Sequence, residues 1–77
     1  MTQILNSQIQ NPSTNHRYTC YKFNRLVGFT DSLTTAAKIL GIAPDMAKAY
    51  LKPASYVRHD LKSLTRRHQH IIADTHR

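Results

Sequence analysis

Apolar and small residues recur at Leu33, Ala36, Ala37 and Leu40, the three- and four-residue steps of one helix face. The run then stops at Gly41, restarts at Pro44, and places Ala47, Tyr50 and Leu51 on a second inward face. The pattern predicts two short helices around a tight turn. Asp31 or Ser32 can cap the first helix by accepting from N–H groups of its first turn. Gly41 stands where a helix commonly ends in a left-handed residue, and Ile42 can plug the corner beneath it. Pro44 suits the first turn of the second helix, where its missing N–H is not needed, and Asp45 beside it complements the helix dipole. Small Ala36 and Ala37 allow the two helices to approach closely.

A second helical pattern follows. Pro53-Ala54-Ser55 signals a start, with Ser55 as a candidate cap. Val57, Leu61, Leu64, His68 and Ile71 then succeed one another at steps of four, three, four and three, and Tyr56 and Ile72 widen the stripe. Neither Gly nor Pro interrupts it, so the spacing predicts one long helix over 53–73. Two heptads are too few for a coiled coil, and the seam is expected to pack on the preceding helices.

The chain ahead of these helices is patterned differently. Residues 17–30 are rich in Tyr, Thr, Val and Phe, which favour strands. Asn24-Arg25 lies between two apolar runs, as a hairpin turn would, although Arg resists positive φ. A short hairpin or extended segment is expected. A first helix with Tyr18, Tyr21, Leu26 and Val27 turned inward, ended by Gly28, is the competing reading. Residues 1–16 are mostly Asn, Gln, Ser and Thr, with Ile4, Leu5 and Ile9 as the only large aliphatics. A segment so poor in apolar surface reads as a flexible arm, leaving 17–77 as a single domain.

The arrangement of Ala37, Gly41 four residues later, and an apolar residue six beyond it resembles the helix-turn-helix of phage and plasmid regulators, repressors and excisionases among them. The resemblance spans about a quarter of the chain. It implies a mainly α fold: a helix-turn-helix domain with a longer C-terminal helix, preceded by the short hairpin or extended segment. In such proteins the second helix enters the major groove. Carried onto this chain, the positions that would meet DNA are Ala43, Pro44, Asp45, Lys48, Ala49 and Lys52. On a helix Lys48 and Lys52 would share a face and reach phosphates or guanine acceptors. No Arg, Asn or Gln stands on this helix, a departure from the usual bidentate readers of bases.

Charge supports a polyanionic partner. Eleven Lys and Arg oppose four Asp and no Glu, a formal charge of +7 on 77 residues. That field suits DNA or RNA better than an acidic protein or an anionic membrane, and the helix pair tips the choice to duplex DNA. Beyond the motif, Arg58, Lys62, Arg66 and Arg67 leave the apolar seam and are further candidate contacts to DNA. With His68 and His70, the Arg66-Arg67 pair could clamp the DNA backbone. One unit this small gives little specificity, and two copies on two half-sites would multiply it. The expected partners are therefore double-stranded DNA and a second copy, a homodimer. RNA, whose bases Tyr18, Tyr21 and Phe23 could stack if exposed, and acidic proteins rank below, and no membrane partner is expected. The expected role is sequence-selective transcriptional regulation. A basic protein-binding module using the helix pair as scaffold is the alternative.

The remaining composition narrows the chemistry. The single cysteine, Cys20, forbids an internal disulfide and two-cysteine zinc sites, and its apolar flanks Tyr18, Tyr21 and Phe23 suggest a buried thiol. The usage suits a reducing cytosol, and neither a secretion signal nor a membrane-spanning run is visible. A cytoplasmic location is expected. His68 and His70 fall on different faces of a helix, so no metal and no cofactor are expected. No phosphate-cradling Gly loop or nucleophile–base–acid set stands out, and no catalytic residue is assigned.

Overall fold

A computed structural model of the chain describes residues 10–76. Two strands open it, β1 (Tyr18–Lys22) and β2 (Arg25–Thr30). They form an antiparallel hairpin in which Lys22 faces Arg25. The turn is Phe23-Asn24, both at positive φ (51° and 68°), the pattern of a two-residue type I′ turn. It lies one residue earlier than Asn24-Arg25. The register shifts between Cys20 and Tyr21, where Val27 is left over on β2 as a bulge. At Gly28 an added Cβ would lie 3.2 Å from Ile39 side-chain carbons, so glycine lets the first helix close onto β2.

That helix, α1 (Leu33–Leu40), is capped by Ser32, whose side chain accepts from the Thr35 N–H at 3.4 Å. Asp31, the other candidate, instead accepts from the Arg17 N–H at 2.8 Å. At its far end Gly41 takes φ 72° and ψ 34°. The Ile42 N–H donates to the Ala37 carbonyl (2.9 Å) and the Gly41 N–H to that of Lys38 (3.1 Å), the two bonds of a Schellman cap. Then follow α2 (Pro44–Ala47), a single turn opened by Pro44, and a 3₁₀ turn over Lys48–Tyr50. The chain continues through β3 (Leu51–Pro53), α3 (Ala54–His59), α4 (Leu61–Arg67) and β4 (His70–Asp74).

The mainly α expectation is overturned by a four-stranded sheet of order β2-β1-β4-β3. β1 is antiparallel to both β2 and β4, while β3 runs parallel to β4 through the α3–α4 crossover. Helices cover both faces of this mixed sheet. Tyr18, Cys20 and Ile72 pack with Ala36, Ala37, Leu40 and Ala47 on one side, and Leu33, Ile42, Tyr50 and Leu51 close that cluster. Tyr21, Ile71 and Ala73 pack with Ala54, Val57, Leu61 and Leu64 on the other. Central strands covered on both sides read as continuous apolar runs rather than alternation. Ile71-Ile72-Ala73 is such a run.

The long helix over 53–73 is therefore not formed. It breaks at Asp60 (φ −126°, ψ 34°) and ends at Arg67. Val57, Leu61 and Leu64 do form a buried helical stripe, but His68 and Tyr56 are exposed, and Ile71 and Ile72 belong to β4. Ser55 lies inside the first turn of α3 and makes no cap; Pro53 occupies that position. The arm expected over 1–16 lies outside the described residues for its first nine positions. Its remainder is held to the sheet: the Tyr21 hydroxyl donates to the Gln10 carbonyl (2.7 Å), and the Ser13 N–H donates to Thr19 Oγ1 (3.0 Å). Pro12 is buried, and the His16 ring stacks on Phe29.

Candidate nucleic-acid interface

Strand direction sorts the charged residues. β1 ends at Lys22 where β4 begins at His70, and β3 begins with Leu51 opposite Ile72. The Phe23-Asn24 turn, the 3₁₀ turn leading into β3 and the α4–β4 junction consequently share one end of the sheet. α1 finishes there as well, since Lys22 Nζ lies 3.8 Å from where a Cβ on Gly41 would be. This end collects Lys22, Arg25, Lys38, Lys48, Arg66 and Arg67. Lys22 and Lys38 have a local role too, because positive charge complements the C-terminal end of the α1 dipole.

Few acids offset the group. Asp60 Oδ2 lies 3.7 Å from Arg67 Nη2 with both side chains substantially exposed, an arrangement of little net energy. Asp45 is exposed in the first turn of α2. The other two acids sit at the far end of the sheet. Asp31 accepts from the Arg17 backbone, and buried Asp74 accepts from Arg17 Nε (3.3 Å) and from the His76 N–H (2.9 Å). The molecule is thus electrically lopsided along the strands.

Aromatic rings line the cationic end. Tyr50 and His70 lie 5.3 Å apart between ring centroids, Phe23 and His70 6.2 Å, and Lys22 Nζ is 5.8 Å from the Phe23 ring. Of the three aromatics around Cys20, Tyr18 and Tyr21 are buried, and Phe23 alone is exposed, at 59%. Burial pushes the Cys20 thiol up to about 11 and drives the Tyr21 phenol well above its ordinary range, partly opposed by the Arg58 charge. Both groups stay protonated at neutral pH and belong to the core.

Ala43, Pro44, Asp45, Lys48 and Ala49 are exposed around α2. Lys52 is not on that helix. It lies half-buried in β3, paired with Ala73, so Lys48 and Lys52 do not share a helical face. Arg58 and Lys62 are exposed on α3 and α4, across the sheet from α2; Arg58 lines a shallow groove with Thr14, Ser55 and Thr75 toward the opposite end. Arg66 and Arg67 do reach the cationic end. Lys22, Asn24, Arg25, Lys38 and Gln69 carry no expectation for this surface from the sequence. The signal available for three of them is Lys22-Phe23-Asn24-Arg25 itself, two cations flanking a turn.

Comparison with protein-family models, with curated proteins and with solved structures returns no match for this chain. Among the described residues no group of three His, Cys, Asp or Glu could hold a metal ion, and no helix is long and apolar enough to cross a membrane.

Proposed function

We propose that this chain binds double-stranded DNA through its cationic end, in the manner of the small regulators its helix pair resembles. The observation that carries the reading is convergence: six Lys and Arg from five separate segments meet at the end where the α1–Gly41–α2 turn is exposed. Phosphates supply most of the affinity in such a contact. With α2 a single turn presenting Ala43, Pro44, Asp45 and Met46, base discrimination is weak. It rests on apolar contacts to thymine methyl groups and on Asp45 accepting from a cytosine amino group. Two copies on an inverted repeat would raise that specificity, which supports a homodimer as the DNA-bound form.

Duplex titrations at several salt concentrations test the proposal. Four to six phosphate contacts give a log–log slope of about −4 to −5. Lys48→Ala and Arg66→Ala should each reduce its magnitude by about one unit, whereas Arg58→Ala should not. A slope near zero, or equal loss in all three variants, would remove the cationic end as the interface. Selection of bound duplexes from a random pool reports the rest, since a recovered inverted repeat requires two copies.

A further inference from the structure

Between the hairpin turn and the end of α4 lies a groove of about 330 Å³ lined by Phe23, Asn24, Thr65, Arg66, Arg67, His68 and Gln69. Its two walls come from segments more than forty residues apart and are tied by the Phe23 N–H donating to the Gln69 carbonyl at 3.0 Å. One wall carries two guanidiniums and an imidazole, the other an aromatic ring, and Asn24 and Gln69 add amides.

Phe23 is the unusual member. It sits at φ 51° in the first position of the turn, a conformation that Gly, Asn and Asp adopt readily and a bulky aromatic does not. Core packing does not compensate for that strain, because the residue is 59% exposed. Strained, exposed positions concentrate where a ligand is met. We infer that this groove seats one unpaired nucleotide at the edge of a DNA duplex. Phe23 stacks on the base, Arg66 and Arg67 hold the adjoining phosphate, and the amides of Asn24 and Gln69 face the base edge. The volume is at the small end for ligand pockets. A base inside a duplex has both faces covered by its neighbours, so the ring needs one that is already unstacked. The exposed Arg67–Asp60 contact is weak enough to be exchanged for a phosphate.

The inference rests on the DNA-binding reading, and one experiment separates the two. The full chain is titrated with a blunt duplex and with the same duplex carrying a short single-stranded overhang, 2-aminopurine occupying its first unpaired position. The overhang should bind roughly 5- to 150-fold tighter, the range expected for one base–aromatic stack, and the 2-aminopurine fluorescence should be quenched. Phe23→Gly relieves the positive φ and folds at least as well, which a melt verifies. It should abolish both the overhang preference and the quenching. Phe23→Trp should retain both. Equal wild-type affinity for the two duplexes, or a preference that survives Phe23→Gly, overturns the nucleotide seat while the duplex reading stands. Failure to bind either duplex overturns both.

Discussion

At Gly41 the left-handed backbone is set by the Schellman bonds to Ala37 and Lys38, and among the described residues, chain neighbours aside, only Lys22 Nζ lies within 4 Å of where a side chain would begin. Replacement there is opposed by backbone strain and not by crowding. Gly41→Val should cost about 1–3 kcal/mol, and Gly41→Asn markedly less, as measured by chemical denaturation; equal midpoints for all three proteins would contradict the conformation. Cys20 offers a pH-dependent counterpart. Its thiol, raised from 9.0 to about 11 by burial, holds its proton more tightly in the folded chain than in the unfolded one. The associated stability is complete below pH 9 and disappears as pH rises toward 11. Wild type should therefore lose stability relative to Cys20→Ala across that window, by on the order of 2 kcal/mol in all. Parallel curves for the two proteins in urea would show that the thiol is not protected by burial.

Among the elements, α4 gives the sharpest contrast between its two sides. Leu64 is 1% exposed against Tyr21, Val57 and Ile71, while Lys62 is on the surface. Leu64→Ala should destabilise the fold by about 2–4 kcal/mol and Lys62→Ala by less than about 0.5 kcal/mol, a difference that thermal melts resolve. The α1–Gly41–α2 unit could be read from sequence because its determinants are local: the Ser32 cap, the left-handed glycine, Pro44 at the helix start. β4 could not. The three-four spacing of Val57, Leu61 and Leu64 continues by coincidence to His68 and Ile71, and what makes 70–74 a strand is the vacancy between β1 and β3, a property of residues far away. The hairpin was legible as a hairpin, but its turn was misplaced by one residue. Side-chain parity decides that point, since Tyr18 and Cys20 must face α1 while Thr19 and Tyr21 face the other layer. The candidate interface was half legible for the same reason. Arg66, Arg67 and Lys48 stand out as basic, but only strand order brings them to the end that holds Lys22 and Arg25.

For the whole molecule, sorting six cations to one end stores mutual repulsion that the unfolded chain relaxes. Raising ionic strength from about 0.01 M to 0.15 M shortens the screening length from about 30 Å to about 8 Å. The melting temperature should therefore rise, by about 3–6 °C if roughly 0.5–1 kcal/mol is relieved. Arg25→Gln combined with Arg66→Gln should raise the low-salt melting temperature and flatten its salt dependence. A melting temperature that falls with salt would mean that attractive pairs such as Arg17–Asp74 outweigh the clustered charge.

The central place of β4 also governs when the domain comes into being. It is the last of the described strands in chain order, yet it lies between β1 and β3 and completes both layers of core. During synthesis the hairpin and the helix pair emerge first with one flank of β1 open, and β3 has no neighbour to join. Pairings of such long sequence separation form slowly, and an open apolar strand edge invites association with other nascent chains. The domain is committed only when Ile71-Ile72-Ala73 slides into its slot, so loss of that strand would leave the helix pair on a two-stranded hairpin with one flank of β1 open and β3 unpaired.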